Sequence, residues 1–127
     1  MSTITVTNIK ATGETASRAV SGVAAAWIKY NTRTTTSVGS SSNVSSISDD
    51  GTGLTSINFT ASMSDANFCQ TMGMGDMNTT WTTSHALATT NDGSKTSSRT
   101  KFHTGGQTVG SASDLYENCV MIMGDLA

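Results

Sequence analysis

Asn43-Val44-Ser45-Ser46-Ile47-Ser48-Asp49-Asp50-Gly51-Thr52-Gly53-Leu54-Thr55-Ser56-Ile57-Asn58-Phe59-Thr60 is the stretch that decides the fold class. Its middle, Asp49 to Gly53, sets two glycines after two aspartates, a combination that tolerates the left-handed backbone angles of a hairpin turn. Beyond the turn, Ile57 and Phe59 fall on one face of a period-two pattern. Before it, Val38, Val44 and Ile47 anchor an otherwise polar run from Thr32 to Ser48. The reading is a hairpin of two antiparallel strands, one of them mostly hydroxyl-bearing.

Working outward, the same period recurs. Ala24 to Asn31 reads AAAWIKYN, with Ala24, Ala26, Ile28 and Tyr30 on one face and Trp27 on the other. Large side chains on both faces predict a strand covered on both sides, at a sandwich core or a subunit interface. Residues 3 to 9, TITVTNI, alternate as a short first strand, and Ala11 to Val23 reads as a connector. Ala66 to Met72 reads as a strand and Met72 to Met77 as a glycine-broken, flexible stretch. Thr79 to Thr90 and Ser97 to Thr104 read as strands facing each other across an Asn91-Asp92-Gly93-Ser94 turn. Cys119 to Met123 is an uninterrupted apolar run, predicted to be a buried strand. Seven to nine strands with turn signals about every ten residues and no amphipathic helix predict an all-β antiparallel sandwich, jelly-roll-like, with a short N-terminal strand. One domain suits 127 residues. Residues 24–127 form the expected sandwich and residues 1–23 an N-terminal strand and connector.

Composition agrees with strands and narrows the function. The chain holds 23 Thr and 19 Ser, while only 13% of residues are charged, against about 25% in ordinary globular domains. β-Branched Thr suits a pleated surface. A net charge of -2 supplies no basic stripe for nucleic acid or anionic lipid, so neither partner is implied. No apolar run approaches the length of a membrane helix, and the N-terminus lacks the apolar core of a signal peptide, which predicts synthesis in a cytoplasm without membrane insertion.

Three segments taken together resemble a domain of structural proteins of tailed phages, of the kind labelled tail-fibre proteins in marine and cyanobacterial viruses. They are Ala26-Trp27; the run Asn43 to Gly53 followed by Ile57-Asn58-Phe59-Thr60; and Asp65-Ala66-Asn67-Phe68, with the ending Val120-Met121-Ile122-Met123-Gly124-Asp125 similar to that family's closing strand. Order and spacing agree from end to end. The sequence departs from the pattern at Ser64, where a proline is usual, at Phe68, where tyrosine is usual, and at Tyr30-Asn31-Thr32-Arg33, where an Asn-Gly turn is usual. The resemblance implies a non-enzymatic virion subunit of tail-fibre or appendage type, a homotrimer touching other virion proteins and adhering to a host surface glycan or protein. A capsid decoration protein is the alternative, with Ile4, Val6 and Ile9 as the strand attaching it to the shell. A free carbohydrate-binding module is the third reading.

The chemistry-bearing residues are few. Cys69 and Cys119 each fall in a predicted apolar strand. Two buried thiols are the expectation for a reducing cytoplasm, and a disulfide is the alternative if their Cα atoms approach within about 7 Å. His85, His103, Cys69 and Cys119 lack metal-ligand spacing, and Asp49, Asp50, Asp65 and Asp76 lack a calcium-loop pattern, so no metal or cofactor is expected. No serine lies in a nucleophile elbow, and neither histidine has an identifiable nucleophile, so no enzyme is expected. Trp27 reads as core or interface, whereas Trp81, set among polar residues, is the candidate for stacking on a glycan or receptor.

Overall fold

The computed structural model describes residues 8–9, 18–19, 24–75, 87–90, 95–105 and 112–127. Ten strands run through them: β1 (Asn8–Ile9), β2 (Arg18–Ala19), β3 (Ala24–Asn31), β4 (Ser37–Ser42), β5 (Val44–Gly51), β6 (Leu54–Phe59), β7 (Cys69–Gly75), β8 (Leu87–Thr90), β9 (Arg99–Gly105) and β10 (Glu117–Met123). There is no helix among the described residues. Among the described residues β1 and β2 pair with each other alone, so the expected connector contains a two-residue strand. The rest form two four-stranded sheets of order β4-β3-β10-β7 and β5-β6-β9-β8, antiparallel at every pairing. The protein is an all-β sandwich.

Alternation explains why the sheets stack. In β3, Ala26, Ile28 and Tyr30 are buried while Trp27 and Lys29 point to solvent; in β10, Asn118, Val120 and Ile122 are buried while Cys119 and Met121 are exposed. From the second sheet Ile57 and Phe59 of β6 and Phe102 of β9 meet them, and Met63 and Phe68 close one end. Phe59 and Phe68 meet edge to face at 5.6 Å between ring centroids, a favoured aromatic geometry. Threonine completes the interior. The Thr100 hydroxyl donates to Gln70 Oε1 at 2.7 Å and the Thr104 hydroxyl to the Ser113 carbonyl at 2.7 Å, which removes the cost of burying them.

The predicted hairpin is present as β5 and β6, with Gly51 at φ 138° and Gly53 at φ 68°. Gly53 also locks distant chain together. Its N–H donates to Asp114 Oδ1 at 2.6 Å and its carbonyl accepts from Thr104 N–H at 2.7 Å.

Four expectations are corrected. Among the described residues β3 is covered on one face only, because the second sheet lies on the Ile28 side. The 119–123 run is likewise buried at Val120 and Ile122 alone. The strand expected from Ala66 begins at Cys69, and it runs on through Met72 to Gly75, the stretch expected to be flexible. Pairing with all seven residues of β10 holds those glycines extended. Finally, Cys69 and Cys119 are both free and exposed. Cys69 is in register with Met123 and Cys119 with Gly73, so along β7 they lie four residues apart. At about 3.3 Å per residue that is roughly 13 Å, beyond a disulfide's span of about 7 Å.

Candidate interaction face

The outer face of the first sheet is built by register. Ser42, Trp27, Met121 and Thr71 stand in one row across β4, β3, β10 and β7, and Ser40, Lys29, Cys119 and Gly73 in another. Trp27 is 39% exposed and Met121 46%. Single exposed apolar residues are ordinary on a protein surface, but directly opposed cross-strand residues stand about 5 Å apart at Cβ. These two therefore make one apolar patch at the sheet's centre. Charge beside it cancels, since Lys29 Nζ meets Glu117 Oε1 at 2.8 Å. The hydrogen bond and charge of Glu117 raise the Lys29 pKa and keep the ammonium protonated.

A groove of about 460 Å³ lies at the end of the sandwich, floored by Met63, Phe68 and Met123 and rimmed by Asp65, Cys69 and Asp125. Its polar atoms are largely committed to the fold. Asp65 Oδ1 accepts the Asn67 N–H at 2.7 Å, Ser64 N–H donates to the Asp125 carbonyl at 2.8 Å, and Lys95 Nζ donates to the Phe68 carbonyl at 2.8 Å while lying over its ring. Gly124 is needed here, because a Cβ on it would meet Phe68 Cβ at 2.8 Å.

The acidic turn is spent in the same way. Asp49 Oδ2 accepts from the Thr36 hydroxyl at 3.0 Å and Oδ1 from Gly51 N–H at 3.2 Å. Asp50 Oδ2 receives Ser56 at 2.6 Å and Lys101 Nζ at 2.7 Å, and Lys101 first, then Ser56, hold its carboxyl below the usual range. His103 lies on β9 of the second sheet, away from Cys69 and Cys119 on the first, so the structure does not bring the three together. Among the described residues no cluster of three His, Cys, Asp or Glu is placed to hold a metal. Ile9 lies in β1; Ile4, Val6, Asp76, Trp81 and His85 lie outside the described residues.

Sequence reasoning missed Asn43. It is the single residue between β4 and β5, which belong to opposite sheets, and it sits at φ 54°. Its Nδ2 donates to the carbonyls of Ala25 at 3.0 Å and Ala61 at 3.1 Å, and its Oδ1 accepts the Ala61 N–H at 2.7 Å. One signal was available: Asn tolerates left-handed backbone better than most residues, and this one ends a run of serines. Its neighbours in the motifs behave alike, for Asn43, Gly53, Asp65 and Gly124 all fasten corners. No family model, curated protein or solved structure matches the chain.

Proposed function

We propose that the chain is a non-enzymatic structural subunit of a tailed-phage virion, of tail-fibre or appendage type, working as an oligomer. The resemblance makes a trimer the expected state. The observation that carries the reading is the Trp27 and Met121 patch on a sheet face of zero net charge. A face with one internally matched ion pair and hydroxyl groups around an aromatic anchor can be covered by protein with little charge desolvation, and interface centres favour such anchors. The motif residues support the reading from another side, since Asn43, Gly53, Asp65 and Gly124 hold the shape of the sandwich's corners.

The test is localisation of the tagged protein on purified particles by immunogold labelling or cryo-electron microscopy. Label on the tail supports the fibre role, and label over the head favours the capsid decoration role instead. Particles without label refute both.

Trp27 itself favours a second reading, a carbohydrate-binding module. An exposed indole beside the Ser42 hydroxyl, with Thr71 beyond Met121 in the same row, offers a sugar ring an apolar face with polar groups at its rim. Glycan-array binding lost in Trp27→Ser, together with absence from particles, distinguishes this reading.

A further inference from the structure

We infer that copies of the chain join edge to edge, β4 of one against β7 of the next, so that the first sheet continues from subunit to subunit. In the order β4-β3-β10-β7 the two outer strands each have one strand neighbour among the described residues. Their other sides carry backbone N–H and C=O groups that a further strand can pair, and proteins ordinarily guard such edges with charge, proline or bulges. The second sheet follows that practice at β5, where Asp49 and Asp50 are exposed and the register breaks twice. The first sheet follows it less, with a single register shift on β4 and none on β7. β4 reads SVGSSS with all six residues exposed, β7 reads CQTMGMG, neither has a charge, and the chain contains no proline. The one irregularity on β4 is the register shift at Gly39, opposite Lys29 and Tyr30.

Strand direction selects the partner. Four strands antiparallel at each pairing leave β4 and β7 running in opposite directions. Two copies set side by side in the same orientation therefore bring β7 of one antiparallel to β4 of the other, with six and seven residues to match. A single kind of contact then satisfies both edges. Such a head-to-tail contact closes into a ring when the rotation between copies divides a full turn. The row Ser42, Trp27, Met121, Thr71 would repeat, with the next copy's Ser42 beside Thr71. This inference rests on the proposed oligomer for its ring, but it is tested on purified protein without any particle.

In a Cys69→Ser, Cys119→Ser background, the pair Ser42→Cys with Thr71→Cys is oxidised and run on a non-reducing gel. Ser40→Cys with Thr71→Cys covers a shift of two residues. Disulfide-linked multimers in either pair, absent from each single-cysteine variant, are expected. The native 13.1-kDa chain should sediment above its monomer mass. Ser41→Lys and Thr71→Lys, each retaining the native far-ultraviolet circular dichroism, should sediment as monomers. A monomeric native chain, a folded lysine variant that stays assembled, no link in either pair, or linkage through Ser42→Cys alone overturns the inference. Particle labelling can fail while these links form, so the two readings fall separately.

Discussion

Replacing Asn43 with alanine tests whether one side chain holds the corner between the sheets. The amide makes three hydrogen bonds, one to Ala25 and two to Ala61. At a net value of roughly 0.5 to 1.5 kcal/mol each, with the two Ala61 bonds near the lower figure because they are exposed, their loss costs about 2 kcal/mol. Alanine at φ 54° adds about 1 kcal/mol of backbone strain, which glycine avoids. The expected losses are about 3 kcal/mol for Asn43→Ala and about 2 kcal/mol for Asn43→Gly. Urea unfolding followed by tryptophan fluorescence and far-ultraviolet circular dichroism measures both, provided the slope with denaturant is unchanged. A loss under about 1 kcal/mol for alanine, or alanine more stable than glycine, refutes the account.

Burial pushes the Tyr30 hydroxyl up to about 12, with Thr55 opposing in part without meeting hydrogen-bond geometry. The unfolded chain ionises near pH 10 and the folded one only near 12, so stability is full below pH 10 and falls between the two. Tyr30→Phe should remove that alkaline slope and, because the hydroxyl is buried without a hydrogen-bond partner, cost under about 1 kcal/mol at pH 7; a series of chemical denaturations from pH 7 to 11 checks both points. Gly53→Ala puts a methyl group on the Thr104 carbonyl oxygen and 2.8 Å from Ser113 N, at a positive φ besides. It should leave little folded protein, and soluble yield with a one-dimensional NMR spectrum would show it. Asp50 has a depressed folded pKa, so its contribution is present above the unfolded carboxyl range and lost as pH falls through the folded value. Asp50→Asn should flatten the acid limb of the stability curve, read as denaturation midpoints between pH 7 and pH 3.

The fold was legible where local chemistry determines it. Asp49 to Gly53 marked the hairpin, although the turn tightens to Thr52 and Gly53 with Asp49 to Gly51 extended in β5, and Ile28 with Tyr30 marked the inner face of β3. Legibility failed where partners are distant. Met72 to Gly75 has a loop's composition and becomes strand because β10 pairs with it. Cys119 and Met121 look buried in a one-dimensional apolar run, yet the second sheet covers the other face. Thr100 and Thr104 are among the buried polar residues although threonine tolerates either setting, since only the fold supplies Gln70 and the Ser113 carbonyl as acceptors. At the candidate face, the sequence marked Trp27 as core or interface but did not reveal that Met121 stands beside it, because that depends on the pairing of β3 with β10.

That pairing also governs how the molecule is made. The central neighbour of β3 arrives late: Asn118 and the Tyr30 it pairs with are 88 residues apart in sequence. At synthesis rates of about 5 to 20 residues per second, the edge of β3 that pairs with β10 waits roughly 4 to 18 seconds for its partner strand. β5 and β6, joined by their short turn, can zip together as they leave the ribosome, whereas the first sheet must be assembled around second-sheet strands inserted between β4 and β7 and between β7 and β10. High contact order of this kind slows folding and lengthens exposure of a sticky intermediate. The nascent chain should therefore depend on chaperone holding far more than its modest size suggests.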